Sequence, residues 1–461
     1  MTATALVLAA GKGTRMRSSR AKVLHPLCGR PMAGWVLEAC REAGLATAVV
    51  VGHQAQQVRA SLGSAHAYAL QSEQKGTGHA VACASAVLEP SGVLVVLPGD
   101  APLIQSSSLA ELVDAHRQAG ALCTVLTMRV AEPGAYGRMV RGHHGQVERI
   151  VEAANASRAE LALDEVNSGI YAFDARWLLE TVLPGLKPHP PKGELYLTDA
   201  IEQAALEGRL AAHLHPDPDE LMGVNDKAML AQAEARLRAR INLAWMREGV
   251  TLRDPECTYI DAQVELGRDV VLGPGVVLQG RTTLEEGVQV GAHCVLVDTR
   301  VRGGSVLKPM TCAEGADIGA DCQVGPFARL RQGTVLGAGV KVGNFVETKK
   351  AVLHRGAKAS HLSYLGDCEI GAEANIGAGT ITCNYDGWGK HTTRVGARAF
   401  IGSNSALVAP VSVGADSIVG AGSTITSDVA EGELSIARGR QKNISGAARD
   451  IHARNKKRAG K

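Results

Sequence analysis

Hydrophobic positions recur at every sixth residue over much of the second half of this chain. The series runs Leu266, Leu272, Leu278, Leu284, Val290, Leu296. It resumes at Ile318, Val324, Leu330, Leu336 and Val342, returns at Ile370 and Ile376, and closes with Ile401, Leu407, Val413, Val419 and Ile425. A period of six matches neither a helix nor the alternation of a half-buried strand. It is the period of a solenoid in which three short strands make one triangular coil, with each aliphatic side chain pointing into the prism. Glycine follows many of these positions, as in Leu272-Gly273, Ile318-Gly319, Val324-Gly325, Ile370-Gly371 and Ile401-Gly402. It is expected at the corners, where a side chain would crowd or φ must be positive. A coil buries its apolar face only against its neighbours, so stability accumulates coil by coil. A Val- and Gly-rich sandwich would not hold one six-residue frame for so long.

The first half carries a different pattern. Thr4 to Ala10, Thr47 to Val51 and Val93 to Leu97 are unbroken apolar runs bounded by turn residues, with helical patterns between them. This predicts a βαβ series and a largely parallel sheet. From Asn225 or Asp226 to about Glu248, strong helix formers dominate, and Leu230, Leu237, Ile241 and Ala244 fall on one stripe. A helix of about 23 residues spans about 35 Å, enough to separate two domains. Its basic run (Arg236, Arg238, Arg240, Arg247) is expected on the solvated side, and Gly249 ends it. The domain boundaries expected are therefore 1–225, 226–249 and 250–461.

Candidate chemistry sits where these patterns break. Gly11-Lys12-Gly13-Thr14-Arg15-Met16 follows the first strand at once, with Lys22 close behind. Small residues there let backbone N–H groups approach a phosphate chain. The loop is neither a Walker A sequence nor the dinucleotide fingerprint. Pro98-Gly99-Asp100 follows the strand Val93 to Leu97, and ligands of such sheets gather at carboxyl ends of strands. A carboxylate there is a candidate Mg²⁺ ligand beside a triphosphate. Gln71 to Ala80 enters a helix with Gly76 and Thr77 placed to face a base or ribose. In the solenoid, Glu347 to Lys350, Ser360 to Asp367 and Asn375 to Gly387 break the frame with polar residues, and Asn384 to Arg394 has to leave the prism. His361 is the candidate base, since a free imidazole titrates near pH 6.5. The early coils, about 257 to 320, read as scaffold.

Composition narrows the class. The 461 residues are 45% hydrophobic, 21% charged and 3% aromatic, with a net charge of +3, too small to imply nucleic-acid binding. No apolar run is long enough to span a bilayer, and the stretch before the first strand lacks the basic region of a signal peptide. Ten cysteines without a CxxC pair favour reduced thiols and a cytoplasmic protein. The tail after Gln441 is basic (Arg449, Arg454, Lys456, Lys457, Arg458, Lys461) and is expected to be solvated and mobile, with a contact to the phosphates of a bound ligand as the alternative.

The run Leu8 to Met16 (LAAGKGTRM) with Ala21 to Leu27 (AKVLHPL) resembles the signature of sugar-phosphate nucleotidyltransferases. The segments around Gly137, Glu152, Asn167, Leu195 to Asp199 and Gly223 to Asn225 are similar to N-acetylglucosamine-1-phosphate uridylyltransferases. The segments SHLSYLGD (360–367) and NIGAGTITCNYDG (375–387) resemble the glucosamine-1-phosphate N-acetyltransferase half of the same bifunctional enzymes. The resemblance covers nearly the whole chain; Pro98 and Ser363 are small departures. It implies an α/β, Rossmann-like nucleotidyltransferase domain, a linker helix and a left-handed parallel β-helix of hexapeptide repeats. It implies two reactions: acetyl transfer from acetyl-CoA to glucosamine 1-phosphate, then uridylyl transfer from UTP with release of pyrophosphate. The product, UDP-N-acetylglucosamine, would feed peptidoglycan and lipopolysaccharide precursors. It implies UTP and sugar contacts at Leu8, Ala9, Ala10, Gly11, Lys22, Gln71, Gly76, Thr77, Gly137, Glu152, Asn167 and Asn225, with Arg15 and Lys22 catalytic and Mg²⁺ on Asp100 and Asn225. It implies a base at His361, sugar-phosphate contacts at Arg331, Lys349, Tyr364 and Asn375, and acetyl-CoA contacts at Ala378, Asn384, Tyr385, Ser403, Ala421 and Arg438. A homotrimer with an acetyltransferase site shared between subunits is implied, with no nucleic-acid or membrane partner. The alternative is a single-function sugar-1-phosphate nucleotidyltransferase with a structural solenoid.

Overall fold

The computed structural model describes all residues except Met1, Thr2, His144, Pro191, Lys192 and Lys461. The chain divides into two compact units, Met1–Ile241 and Asn242–Lys461. No helix of the described residues is long and apolar enough to cross a membrane, and no disulfide joins any of the ten cysteines.

The first unit is built on a sheet with the strand order Leu210–Leu214, Cys123–Arg129, Glu165–Asp174, Val93–Pro98, Ala3–Ala9, Ala46–Val51, Ala67–Leu70. Both faces are covered. Ala5, Val7, Val49, Val51, Val95 and Leu97 pack on one side, and Leu6, Val50, Leu94, Val96 and Phe173 on the other. Burial on both faces is why these strands read as unbroken apolar runs. The three expected strands are present, and Ala3–Ala9 pairs in parallel with both Ala46–Val51 and Val93–Pro98. The sheet is nevertheless mixed: Glu165–Asp174 runs antiparallel to both of its neighbours. The chain reaches it through the hairpin Arg138–Arg141 and Val147–Val151, which reverses direction without a crossover helix. Its register shifts between Asn167 and Ile170, where Gly169 has φ +80°.

The long helix runs Lys227–Arg247. Asp226 Oδ1 accepts the Met229 N–H at 2.8 Å, so Asp226, not Asn225, is the cap. Ala233 and Leu237 are buried, with Leu230 and Ile241 beside them, against Leu27, Met32, Leu103 and Val224 of the first unit. The expected stripe fails at its end. Ala244 is exposed, and Asn242 is buried instead, donating to Pro255 O at 2.7 Å and Thr258 O at 2.9 Å. The basic run is solvated only in part: Arg247 is exposed and Arg236 pairs with Asp219 at the surface, whereas Arg240 turns inward and donates to Leu103 O at 3.0 Å.

The second unit is a prism of short parallel strands. One face stacks Leu252, Leu272, Val290, Leu307, Val324, Val342, Ala359, Ile376, Ile401 and Val419 in register. A second stacks Leu266, Leu284, Val301, Ile318, Leu336, Leu353, Ile370, Val395 and Val413. The frame therefore does not stop at Leu296. It continues through Val301, Leu307 and Ala313 after one step of five residues, and the same step recurs between Thr348 and Leu353 and between Leu365 and Ile370. The segments expected to break the frame are thus coils in register, with Thr348 in the core, its hydroxyl 2.9 Å from that of Thr334. Only the stretch between Cys383 and Thr393 leaves the prism; Arg394 is already back in the strand Thr393–Val395. Crowding explains most of the recurring glycines. A Cβ on Gly402 would lie 2.4 Å from Ala421 N, whereas of the five pairs noted above only Gly325 has positive φ. The tail forms a helix, Ala447–Arg458, exposed along nearly all its length; Lys461 lies outside the described residues.

Candidate active sites

In the first unit, Gly13 takes φ +59° so that the loop folds back on Lys22, and a Cβ at Gly13 would lie 2.5 Å from Lys22 Cβ. The Lys22 ammonium pairs with Asp100 and donates to Asn225 Oδ1 at 2.8 Å, and Arg15 donates to the same oxygen at 2.8 Å. Backbone hydrogen bonds fix this arrangement. Gly99 N–H donates to Leu8 O at 2.9 Å, and Val224 N–H donates to Asp100 O at 2.8 Å. Four residues separated by up to 210 positions thus meet at the carboxyl ends of two neighbouring strands. Among the described residues, no three or more His, Cys, Asp or Glu side chains gather as a metal cage. The two converging oxygens of Asp100 and Asn225 nevertheless fit Mg²⁺, which takes few protein ligands and fills the rest with water and phosphate oxygens. Tyr136 lies over this cluster, its hydroxyl bonded to the Gly223 backbone, and burial raises its pKa.

Two further groups of expected residues flank it. Ala10, Gly52 and Gln71 are packed together, with Gly52 too close to Ala10 and Gln71 backbone for any side chain. Gln71 is buried and donates to Gly76 O at 3.0 Å. Thr77 does not present a free hydroxyl: it accepts Leu197 N–H at 3.1 Å and so ties down the 195–197 segment. The second group is Gly137, Glu152 and Asn167. Asn167 N–H donates to Gly137 O at 2.9 Å, its side-chain amide donates to the Tyr171 hydroxyl at 2.8 Å, and Glu152 lies 3.7 Å from where a Gly137 Cβ would stand. The bulge at Asn167 sets its side chain apart from the regular pleat.

In the second unit, His361 ends the strand Lys358–His361 at an exposed corner. Its Nδ1 is 2.8 Å from Asn344 Oδ1, on the coil before. Three of the residues expected to contact acetyl-CoA stack beneath it at one per coil: the Ala378 carbonyl accepts Asn404 N–H at 2.7 Å, the Ser403 carbonyl accepts Gly422 N–H at 2.8 Å, and Ala421 O accepts from Arg438 Nη1 at 2.6 Å. On the strands that follow the corner, Arg331 pairs with Glu347 at 2.8 Å, and Glu347 is the register partner of Tyr364. Lys390, first, and then Arg331 hold Lys349 below the usual lysine range. Three crowded cations are unfavourable without an anion, which suits a phosphate site. Asn384, tied to Asp367, and the Tyr364 hydroxyl both close over Gly366. Asn375 lies instead on the sheet of Lys358–His361, and Tyr385 and Trp388 project from the insertion, Trp388 98% exposed. Asn384 and Tyr385 thus begin the insertion after the strand Ile381–Cys383, apart from the column of Ala378, Ser403 and Ala421.

No individual role for Tyr136, Asn344 or Lys390 was legible in the sequence. Tyr136 stands next to Gly137 in a segment already singled out. Asn344 could have been found by register alone, as the residue beneath which His361 stacks. Lys390 is the one cation inside the insertion.

Comparison with known proteins bears on both units. A nucleotidyl transferase family model matches residues 4–229, a GMPPB C-terminal domain model residues 255–358, and a model for the hexapeptide repeat of succinyl-transferase residues 392–427. The parallel coils are accordingly the left-handed β-helix of the hexapeptide proteins. The bifunctional protein GlmU of Trichlorobacter lovleyi is 50% identical over 454 residues, covering 96% of this chain and 97% of the relative. That of Pelobacter propionicus is 50% identical over 447 residues, with 96% and 97% covered. That of Geobacillus sp. is 46% identical over 442 residues, with 95% and 96% covered. At this identity and over this length, the chain belongs to the bifunctional GlmU family.

Proposed function

We propose that the two transfers of this family are divided between the units, with uridylyl transfer at the Lys22–Asp100–Asn225 cluster and acetyl transfer at the His361 corner. The enzyme makes UDP-N-acetylglucosamine from glucosamine 1-phosphate, acetyl-CoA and UTP. The observation that carries the division is that each unit holds its own chemically distinct cluster: cations on paired oxygens in the first, an exposed imidazole above an open column in the second.

In acetyl transfer, the amine of glucosamine 1-phosphate attacks the thioester carbonyl carbon. His361 takes the amine proton, and coenzyme A leaves as the thiol. Arg331, Lys349 and Lys390 hold the sugar phosphate, which offsets their mutual repulsion. The column Ala378, Ser403, Ala421 and Arg438 seats acetyl-CoA along the prism edge, with Asn384 and Tyr385 completing its contacts, while Tyr364 and Asn375 join the sugar-phosphate contacts. In uridylyl transfer, a phosphate oxygen of N-acetylglucosamine 1-phosphate attacks the α-phosphorus of UTP and pyrophosphate leaves. The nucleophile is already anionic, so positioning and charge neutralisation dominate. Arg15 and Lys22 supply charge, Leu8 to Gly11 face the triphosphate, Gln71 and Gly76 the base, and Gly137, Glu152 and Asn167 the sugar. Asp100 and Asn225 would hold Mg²⁺, which when bound neutralises phosphate charge.

The assembly proposed is a homotrimer in the cytoplasm. Two observations support it. The expected acetyl-CoA residues fall into two separate groups on one subunit, as a site shared between copies requires. Met310, Phe327, Phe345 and Leu362 form an apolar ridge, one per coil, all in left-handed backbone conformation and about half exposed. Large apolar residues there incur backbone strain, which a buried interface offsets.

The test is a split assay on the purified protein with glucosamine 1-phosphate, acetyl-CoA, UTP and Mg²⁺. Thiol release and pyrophosphate release are recorded separately while one cosubstrate is omitted at a time. Thiol release without UTP, and pyrophosphate release only after acetylation, are expected. Pyrophosphate without thiol would overturn the acetyltransferase reading.

A further inference from the structure

We propose that Asn344 is the positioning residue that fixes the His361 imidazole in the tautomer able to take a proton. The inference rests on the reading of His361 as the base. The side-chain oxygen of Asn344 lies 2.8 Å from His361 Nδ1. An amide oxygen only accepts, so Nδ1 carries the proton and the lone pair is left on Nε2. Without such a partner a neutral imidazole distributes its proton between both nitrogens and its ring turns.

The backbone makes this contact unavoidable. Asn344 and His361 are register partners on adjacent coils. Gly343, one residue earlier, lets the two strands close: a Cβ there would lie 1.8 Å from Ser360 O. Asn344 O in turn accepts Leu362 N–H at 3.0 Å, which anchors the residue on the far side of His361. The imidazole is thus held from one side by a neutral amide, while the coil on its other side presents only Ala378 in the same column.

A neutral amide adds no charge beside the ring, where a carboxylate would favour the imidazolium and block proton uptake at low pH. The titratable side chains on the strands packed around His361 are Lys341 on the preceding coil, Lys358 on its own strand, and Tyr364, Asp367, Cys368 and Glu369 on the strand after the corner. Among the contacts of the described residues, only Asn344 is bonded to the ring.

The experiment compares Asn344→Ala, Asn344→Asp and His361→Ala in the full-length protein, with uridylyl transfer by the same preparations as the control for folding. Asn344→Ala is expected to lower kcat for acetyl transfer by roughly 10- to 100-fold, with KM for both substrates little changed. Asn344→Asp keeps an acceptor at Nδ1, so it should restore most of kcat at high pH while moving the acidic limb of the kcat/KM profile upward by about one pH unit. Normal kcat in Asn344→Ala, or an acidic limb in Asn344→Asp that coincides with wild type, would overturn the inference. The two readings fail separately. Full acetyl transfer in His361→Ala removes the base itself, whereas loss in His361→Ala with none in Asn344→Ala removes only the positioning role.

Discussion

Asp100 binds twice, its side chain to Lys22 and its backbone carbonyl to Val224 N–H, so the carboxylate and Asn225 are locked beside one another. Asp100→Asn keeps the shape and removes the charge. It is expected to abolish uridylyl transfer and spare acetyl transfer, while His361→Ala should lower acetyl transfer roughly 10²- to 10⁴-fold and spare uridylyl transfer. Crossed losses, read by thiol and pyrophosphate release, would contradict the division of labour. A second residue-scale expectation concerns His116, on the buried face of the helix Ser106–Ala119 with Nδ1 2.9 Å from Thr124 Oγ1. Burial first, partly opposed by Asp174, lowers its pKa to about 4. The native state holds it neutral, while the unfolded chain binds a proton below about 6.5. Its contribution is therefore complete above that pH and is lost as pH falls toward 4. Between pH 7 and pH 5 the wild type should lose ~2 kcal/mol more stability than His116→Gln, measured by denaturant unfolding at both pH values. Equal losses would mean His116 is not the titrating group.

At the scale of the element, the solenoid corners share a device that composition does not reveal. Buried hydroxyls donate to the carbonyl three residues back: Thr282 to Gln279 O at 2.7 Å, Thr380 to Gly377 O at 2.7 Å, Ser405 to Gly402 O at 2.6 Å and Ser417 to Gly414 O at 2.7 Å. The Gly402 and Gly414 carbonyls are met in this way, whereas Gln279 O also accepts Asp298 N–H at 3.2 Å and Gly377 O accepts Thr380 N–H at 3.3 Å. Ser417→Ala is expected to lower unfolding free energy by ~1 to 3 kcal/mol, because the Gly414 carbonyl loses its donor in a buried place. An unchanged denaturant midpoint would show that water replaces the hydroxyl. The long helix teaches a related point. Leu237 and Arg240 belong to the first unit and Asn242 to the second, so one regular element contributes to two cores.

At the scale of the whole molecule, the ridge Met310, Phe327, Phe345 and Leu362 is left-handed in backbone and about half exposed in the single chain, and the proposed trimer would bury it. Phe327→Gly with Phe345→Gly should relieve the left-handed backbone strain, of order 1 kcal/mol per site, and remove the stacked ring pair at 5.4 Å. Sedimentation should then show smaller species. Acetyl transfer should fall with dissociation, and uridylyl transfer, which uses one unit alone, should persist. A double variant that stays trimeric would place the interface elsewhere.

The sequence by itself determined the class of both units. A six-residue period is a local property of each coil, and the loop Gly11 to Met16 with Lys22 is a local requirement of phosphate approach, so both are visible without coordinates. Asp100 stood out because it follows the apolar strand Val93 to Leu97 beside a glycine-rich loop, and His361 because it lies in a polar segment that resembles the acetyltransferases. What the tertiary structure decided was everything that depends on pairing. The five-residue steps hid Val301 and Leu353 from a strict frame, since only stacking against Leu284 and Leu336 shows that they hold the same place. The reversal of Glu165–Asp174 hung on a hairpin with no strong turn signal. The partners of the chemical groups, Asn225 for Lys22, Asn344 for His361 and Lys390 for Lys349, lie 203, 17 and 41 positions away. Separation along the chain carries no information about such contacts; the register of the coils and the order of the sheet do.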